Sequence, residues 1–365
     1  MEKKRRLAYI IHGLDAGIGG AELACVSALP SLHKRFDLRV YVLGGPNSVL
    51  LDGLGDEIIG RMKFYRFRAY TMLFMLPLLV GSLWSFKPDI VISSLWRSAA
   101  VAWLYKCLRR RITYFLLVHS SEFFHWADRF FTTRAMYVSD AVFADSQATG
   151  LFAERIVGGR TGIHVLSYLL DAPPAVLPQH QFLPAKRFLF VGRLNKVKRV
   201  SLAVKAIAAL RAAGVDAGLH IYGRDDGDRA NVEKAIGRYG LQQHIVFKGE
   251  LDPKRKRAIF ASYDYYIQLS AQEGMAMSVA EAMQHGAVCM VTPVGAIAQY
   301  AIDGISAIFV DPTDEATWNS SMQRIIDVVD DTARCGKMSM EAFKTFKDTP
   351  VFADTLIEAM DHYAK

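Results

Sequence analysis

Cysteine is scarce. Cys25, Cys107, Cys289 and Cys335 are spread over 365 residues with no C-x-x-C pair. Such spacing argues against a disulfide framework or a thiolate metal site and reads as reduced, mostly buried thiols in a reducing compartment. The ten histidines are dispersed, without H-E-x-x-H or mixed Cys/His spacing, so no structural or catalytic metal is expected. The apolar run at 72–84 is too short and too interrupted to span a bilayer. The basic start, Lys3 to Arg6, meets a glycine turn too soon for a signal-peptide core, and the chain is expected to stay in the cytoplasm. Gly13, Gly17, Gly19 and Gly20 do not fit G-x-G-x-x-G, and no acidic ribose anchor follows as that fingerprint requires, which weakens a dinucleotide oxidoreductase.

What is present is an α/β alternation, run through twice. Apolar β runs at 7–11, 38–43, 90–93, 113–118 and 141–144 alternate with helical patterns such as 21–32 and 98–108. A second series at 187–191, 219–222, 245–248, 265–269 and 288–291 alternates with helices at 201–213, 229–239 and 253–262. This order predicts parallel sheets covered by helices on both faces. Length alone makes two domains the prior, and three prolines at 173, 174 and 178 mark a linker. The expectation is an N-terminal domain at 1–170 and a C-terminal domain at 171–365, whose last helix is free to pack back on the first. Ligands of such sheets bind beyond the strand carboxyl ends, so two facing domains would share one cleft.

Charge is uneven. Residues 1–170 hold 21 Lys and Arg against 13 Asp and Glu, whereas 171–365 hold 23 of each, so the first half carries the whole net charge of +8. The surplus gathers at 3–6, at Arg61, Lys63, Arg66 and Arg68, and at Lys106 with Arg109, Arg110 and Arg111. Between these clusters lies the 72–84 run with its Trp84. Two readings stand: an interfacial segment drawn to anionic lipid, or a core helix beside a solvated basic face. Nucleic acid is a poorer account, since no motif or aromatic stacking pattern accompanies the charge.

Two carboxylates eight positions apart carry the chemistry. Glu273 follows the strand pattern of 265–270, and Glu281 sits one turn into a helix that starts near Ser278 and is closed by Gly286. Backbone amides at that helix start, from Gly274 through Met275, Ala276 and Met277, favour an anion, and each carboxylate can accept from sugar hydroxyls. The alternative is a pair of exposed carboxylates favoured by the helix dipole. Arg193 and Lys198 are candidates for a diphosphate clamp, the arginine as a fork and the lysine as a point charge, against a plain surface role. Gly19 and Gly20 would let backbone approach a phosphate closely, or form an ordinary tight turn. Asp225-Asp226-Gly227-Asp228 contains a D-x-D but reads as a solvated turn with Asp228 near a helix N-cap.

The run from Glu273 through Glu281-Ala282-Met283 and Gly286, then Val288 to Thr292, Gly295 and Asp303-Gly304, resembles the C-terminal half of the large retaining glycosyltransferase family 4. Further elements resemble that family in order: Gly19-Gly20-Ala21-Glu22, Lys87-Pro88-Asp89, Gly192-Arg193-Leu194 with Lys198, His220 to Gly223, and Ile245 to Gly249. The resemblance covers nearly the whole chain. It implies the GT-B architecture of two Rossmann-like, doubly wound parallel-sheet domains facing a shared cleft. It further implies a metal-independent enzyme that takes a nucleotide sugar as substrate, UDP more readily than GDP, and needs no cofactor.

By the same resemblance, Glu273 would hold donor-sugar hydroxyls with the amides of Met275 to Met277, and Glu281 the ribose. His119 would stand near donor sugar and acceptor, or serve as a structural histidine. The acceptor would be a lipopolysaccharide, exopolysaccharide or other lipid-linked glycan, reached from a peripheral position on the inner face of the plasma membrane. Two other readings are a sugar-nucleotide epimerase of the same architecture and a catalytically silent paralogue serving as a partner subunit. The departures from the family lie at Gly274-Met275-Ala276-Met277-Ser278, where it often has Gly-Phe-Gly-Leu-Pro, and at 167–171.

Overall fold

The computed structural model describes residues 4–14, 20–66 and 72–363. The chain divides into two compact units, Met1–Asp171 with Pro350–Lys365, and Ala172–Thr349. The second domain expected to run to 365 thus ends at Thr349, and the chain returns to the first unit. The reason is apolar: the terminal helix Phe352–Tyr363 buries Phe352, Leu356 and Met360 against Leu29, Phe115 and Phe143. Burial of each such side chain stabilises by about 1.5–3 kcal/mol. An Arg35–Asp361 ion pair and a 2.6 Å hydrogen bond between His164 Nε2 and the Tyr363 hydroxyl fix its edges.

In the first unit seven parallel strands form one sheet: β1 (Arg6–His12), β2 (Asp37–Leu43), β3 (Met62–Phe64), β4 (Ile90–Ser94), β5 (Thr113–Val118), β6 (Ala141–Ala144) and β7 (Gly162–Val165). Their order is β3-β2-β1-β4-β5-β6-β7. The second unit holds β8 (Lys186–Val191), β9 (Ala217–Tyr222), β10 (Ile245–Gly249), β11 (Tyr265–Gln268), β12 (Val288–Val291) and β13 (Ala307–Phe309), ordered β10-β9-β8-β11-β12-β13. The central strands have apolar residues on both faces because helices cover both; Leu7 to Ile11 are fully buried, with Leu7 opposite Leu38 on one side and Ile90 on the other. In each sheet the chain order reverses between two neighbours, β1 and β4 in the first, β8 and β11 in the second. Loops leaving the carboxyl ends of those strands have no crossover above them and can hold a ligand.

The sequence reading missed β3, β7 and β13. Each is an edge strand of three or four residues, and β7 has no fully buried position. The helix expected over 253–262 is broken into a 3-10 turn, Pro253–Arg255, capped by Asp252, and a short helix, Lys256–Ala261. The 72–84 run lies in the helix Met72–Phe86, which buries Leu79, Leu83 and Phe86 and leaves Leu78 and Trp84 more than half exposed. Of the nearby cations, Lys106 is structural, held by Ile112 O and Asp140, while Arg110 and Arg111 are exposed. Arg68 lies outside the described residues. No helix among the described residues is long and apolar enough to cross a membrane.

Candidate active site

The loops after β8 and β11 meet at the reversal point of the second sheet. A 3-10 turn, Lys196–Lys198, capped by the Asn195 side chain, follows β8 and directs Lys198 at Glu273. Lys198 Nζ lies 2.7 and 2.9 Å from the two carboxylate oxygens, and the side chains are only 18% and 8% exposed. Two predicted residues are thus brought together as a largely buried, charge-assisted pair.

Glu273 is oriented from the strand beneath it. Gln268, fully buried at the end of β11, donates its Nε2 to Glu273 Oε1 at 2.7 Å. Its own Oε1 accepts from the Tyr266 hydroxyl at 2.6 Å and from Ser278 Oγ at 3.0 Å, which fixes the amide so that the nitrogen faces the carboxylate. Burial raises the Tyr266 phenol well above its ordinary pKa, so the hydroxyl stays a donor. Arg199, in a left-handed conformation, holds the strand end through Leu269 O at 2.9 Å and Ser270 O at 2.7 Å, and burial lowers its pKa. Tyr266, Gln268, Ser278 and Arg199 were not singled out from the sequence. Gln268 did carry a signal, as the one polar position inside an apolar strand pattern that could not be left unpaired.

The helix after Glu273, Met277–Gln284, begins at Ala276 in a left-handed conformation without a side-chain cap. Its first amides therefore keep donor capacity at a point where the dipole favours an anion. The preceding loop is clamped: Ala296 N donates to Gly274 O, and the Tyr300 hydroxyl donates to Met275 O. Gly295 lies so close that a Cβ there would sit 2.3 Å from Glu273 O. Gly274 faces open space. Glu281 pairs with Lys256 at 2.8 Å, both side chains at most one fifth exposed. Lys256, too, was missed.

Arg193 stands apart from that buried pair. It is 55% exposed, with NH1 3.3 Å from Asp226, which also accepts from Asn195. The loops after β8 and β9 pack tightly, since a Cβ on Gly223 would meet Gly192 O at 1.8 Å. Asp225 accepts from the amides of Gly227 and Arg229, which lower its pKa, and Asp228 is the N-cap residue of the helix Arg229–Tyr239. Among the described residues, no cluster of three or more His, Cys, Asp and Glu could hold a metal.

The first unit carries His119, just past β5 and 10% exposed. Its Nδ1 lies 3.3 Å from Asp145 and its Nε2 2.8 Å from Ser94 Oγ. In the neutral ring whose Nδ1 proton faces the carboxylate, Nε2 accepts from Ser94. Ser94 is fully buried, so the relay holds the imidazole and presents no nucleophile. The next residue, Leu95, has φ 71° and ψ 161°, a region almost reserved for glycine, at a cost of order 1–3 kcal/mol. Gly20 opens the helix Gly20–Arg35 and is exposed, with open space where a Cβ would point; Gly19 lies outside the described residues.

The family described as Glycosyl transferases group 1 matches residues 178–344. Among characterised proteins, the chain is 24% identical over 189 residues to a D-inositol 3-phosphate glycosyltransferase of Arthrobacter sp. (strain FB24), 50% of this chain and 45% of the relative. It is 29% identical over 138 residues to a 2-deoxystreptamine glucosyltransferase of Streptomyces kanamyceticus, 38% of this chain and 35% of the relative. The chain thus spans less than half the length of these relatives. Among solved structures, Anabaena Alr3699/HepE in complex with UDP superposes with a TM-score of 0.77 at 14% identity, covering 98% of this chain and 100% of that one. A mutant of S. aureus TarM in a complex that includes UDP gives 0.70 at 12%, covering 99% and 100%. The two parallel-sheet units are those of the GT-B fold, and residues 178–344 of the second are similar to the Glycosyl transferases group 1 family.

Proposed function

We propose that this chain is a retaining, metal-independent glycosyltransferase of family 4, which moves a sugar from a nucleotide donor to a hydroxyl of a growing envelope glycan. The observation that carries the reading is the Lys198–Glu273 pair at the reversal point of the second sheet, beside an uncapped helix start. Breaking the anomeric bond puts negative charge on the leaving diphosphate. Lys198, Arg193 and the amides of Gly274 to Met277 are the donors that would stabilise it, usually the largest catalytic term. Glu273, fixed by Gln268, would accept from donor-sugar hydroxyls, and Glu281 from the ribose. Lys256 and Asp226 would yield part of their present contacts when the nucleotide enters. His119 would serve the acceptor side, and no carboxylate is assigned as a dedicated general base.

UDP is the favoured nucleotide, supported by the UDP and UDP-glucose complexes of HepE. The acceptor class, a lipopolysaccharide, exopolysaccharide or lipid-linked glycan, goes with a cytoplasmic protein docked on the inner membrane face. Exposed Trp84, Arg110 and Arg111 support that docking. A thermal-shift screen against UDP-, GDP- and ADP-sugars tests the proposal, because a ligand that binds only the folded state raises its melting temperature. UDP-sugars should give the largest rise, undiminished by a chelator. No shift with any of them, or a strict need for a divalent cation, would refute it.

A further inference from the structure

Beside His119 the first unit holds a pocket of about 230 Å³, walled chiefly by Leu95, Trp96, Val118, Phe123, Phe124 and Phe152. That size lies between the roughly 150 Å³ of a cavity that takes benzene and the roughly 300 Å³ at which whole ligands are enclosed, so it suits one ring or a short chain. Several polar groups on its wall already have partners. Asp128 accepts from Phe124 N at 3.0 Å and from Thr132 Oγ1 at 2.9 Å, and His119 is held by Ser94 and Asp145. Because most of the wall is apolar, a bare sugar placed there would leave most of its hydroxyls unpaired, whereas an apolar group would match it. The wall is stiff: Trp96 packs edge-on to His125 at 5.0 Å and parallel to Phe131 at 6.3 Å, with the Arg97 guanidinium over its ring. The pocket's rim continues into uncovered aromatic surface, Phe124 at 73% and Trp126 at 80% exposure.

A second feature is independent of the aromatic wall. Leu95, one of the lining residues, is kept in a backbone conformation that glycine would adopt without strain. Its carbonyl accepts from Ser98 Oγ and from Ala99 N, so the helix start that follows enforces the strain. A leucine held so at the mouth of a pocket is a position where its side chain is wanted.

We infer that this pocket binds an apolar group of the acceptor, carried next to the hydroxyl that receives the sugar. The inference rests on the glycosyltransferase reading and narrows its substrate class: the acceptor is amphiphilic, a glycan end attached to an aryl ring or to a lipid chain. Trp96 and Phe124 set this preference; neither is assigned a part in bond breaking.

Calorimetric titration of the full chain with methyl, 4-nitrophenyl and octyl β-glucosides, the last kept below its micelle concentration, separates the cases. Both apolar glucosides should bind roughly tenfold or more tightly than the methyl glucoside, as burial of one ring or a short chain predicts. The tighter of the two tells an aryl from a lipid source. Trp96→Leu and Phe124→Ser should each reduce that ratio severalfold, while UDP affinity and the urea denaturation profile of both variants stay as in the wild type, the latter showing that the first unit still folds. Equal affinity for the three glucosides, no binding of any, or a ratio unchanged in both variants would overturn the inference. Failure of UDP to bind the wild-type chain would instead strike the nucleotide-sugar reading, with the glucoside ratio still deciding the pocket.

Discussion

The two units share a parallel sheet with one order reversal, yet they fill the loops beyond it with opposite chemistry. In the second unit those loops concentrate buried ion pairs and aligned donors: Lys198 with Glu273, Lys256 with Glu281, and Gln268 fixed from below. In the first unit the loops after β4 and β5 build an aromatic wall around one relayed histidine. Topology decides where a site is, and the loop residues decide what it holds. On the proposed reading, the second unit takes a polyanionic, hydroxyl-rich ligand and the first an apolar group.

The contrast is broken most sharply at Glu273. Glu273→Ala strands Lys198 largely buried, which should cost roughly 3–5 kcal/mol of folding stability. Glu273→Gln keeps the shape and one acceptor for Lys198, so it should lower the denaturation midpoint less than Glu273→Ala does, and turnover by about 100-fold. Turnover assays beside urea denaturation of both variants decide it; wild-type turnover in Glu273→Gln would remove the carboxylate from the site.

Next in size is the return of the chain to the first unit. Leu356→Ala should cost about 2–5 kcal/mol, because it empties a fully buried position in that unit's core. UDP affinity under native conditions should hold, as measured by calorimetry. A loss of affinity without a loss of stability would place the terminal helix with the second unit's function.

The basic surplus has its own test. The protein should sediment with phosphatidylglycerol vesicles at low salt and be released as salt rises. Gln in place of Arg109, Arg110 and Arg111 should weaken binding by on the order of 1 kcal/mol per exposed arginine. Trp84→Ser should weaken it further. Equal recovery from neutral and anionic vesicles at every salt concentration would return these arginines to solvated surface.

A smaller effect is expected beneath the site. Tyr266→Phe removes one donor to Gln268, worth about 1 kcal/mol, and lets the amide turn. Turnover should fall severalfold with UDP affinity unchanged, since Tyr266 positions Glu273 through Gln268 and touches no ligand. Equal falls in kcat and UDP affinity would mean a general loosening of the loop.

The smallest effect is pH-linked and confined to the first unit. Burial and the nearby His362 lower the pKa of His164, which shares a hydrogen bond with Tyr363. The folded state therefore binds fewer protons than the unfolded one. Its contribution is present above the ordinary histidine pKa and fades as pH falls through the lowered one. Urea midpoints between pH 7 and pH 5 should fall more for the wild type than for His164→Gln; parallel falls would clear His164.

Fold class was legible because buried parallel strands leave near-continuous apolar runs, and each β run singled out from the sequence became a strand. Edge strands β3, β7 and β13 were illegible because a run of three or four residues is too short to show a period. The carboxylates, Arg193 and Lys198 could be picked out because the motifs around them resemble those of a known family; their spacing alone was a weak signal. What stayed hidden were partners made by long-range folding: Lys256 for Glu281, Asp226 for Arg193, Ser94 and Asp145 for His119. The aromatic pocket was hidden as well, since residues 95, 118, 123 and 152 meet only once the first sheet is built.

The central claim is that the loops after β8 and β11 bind a nucleoside diphosphate through Lys198 and Arg193. Titration calorimetry of UDP against the wild type, Lys198→Ala and Arg193→Ala tests it directly. The wild type should bind, and each variant should lose roughly 2–4 kcal/mol of that affinity or of transition-state stabilisation, with unchanged thermal melting for exposed Arg193. Identical UDP affinity and turnover in all three proteins would contradict the account.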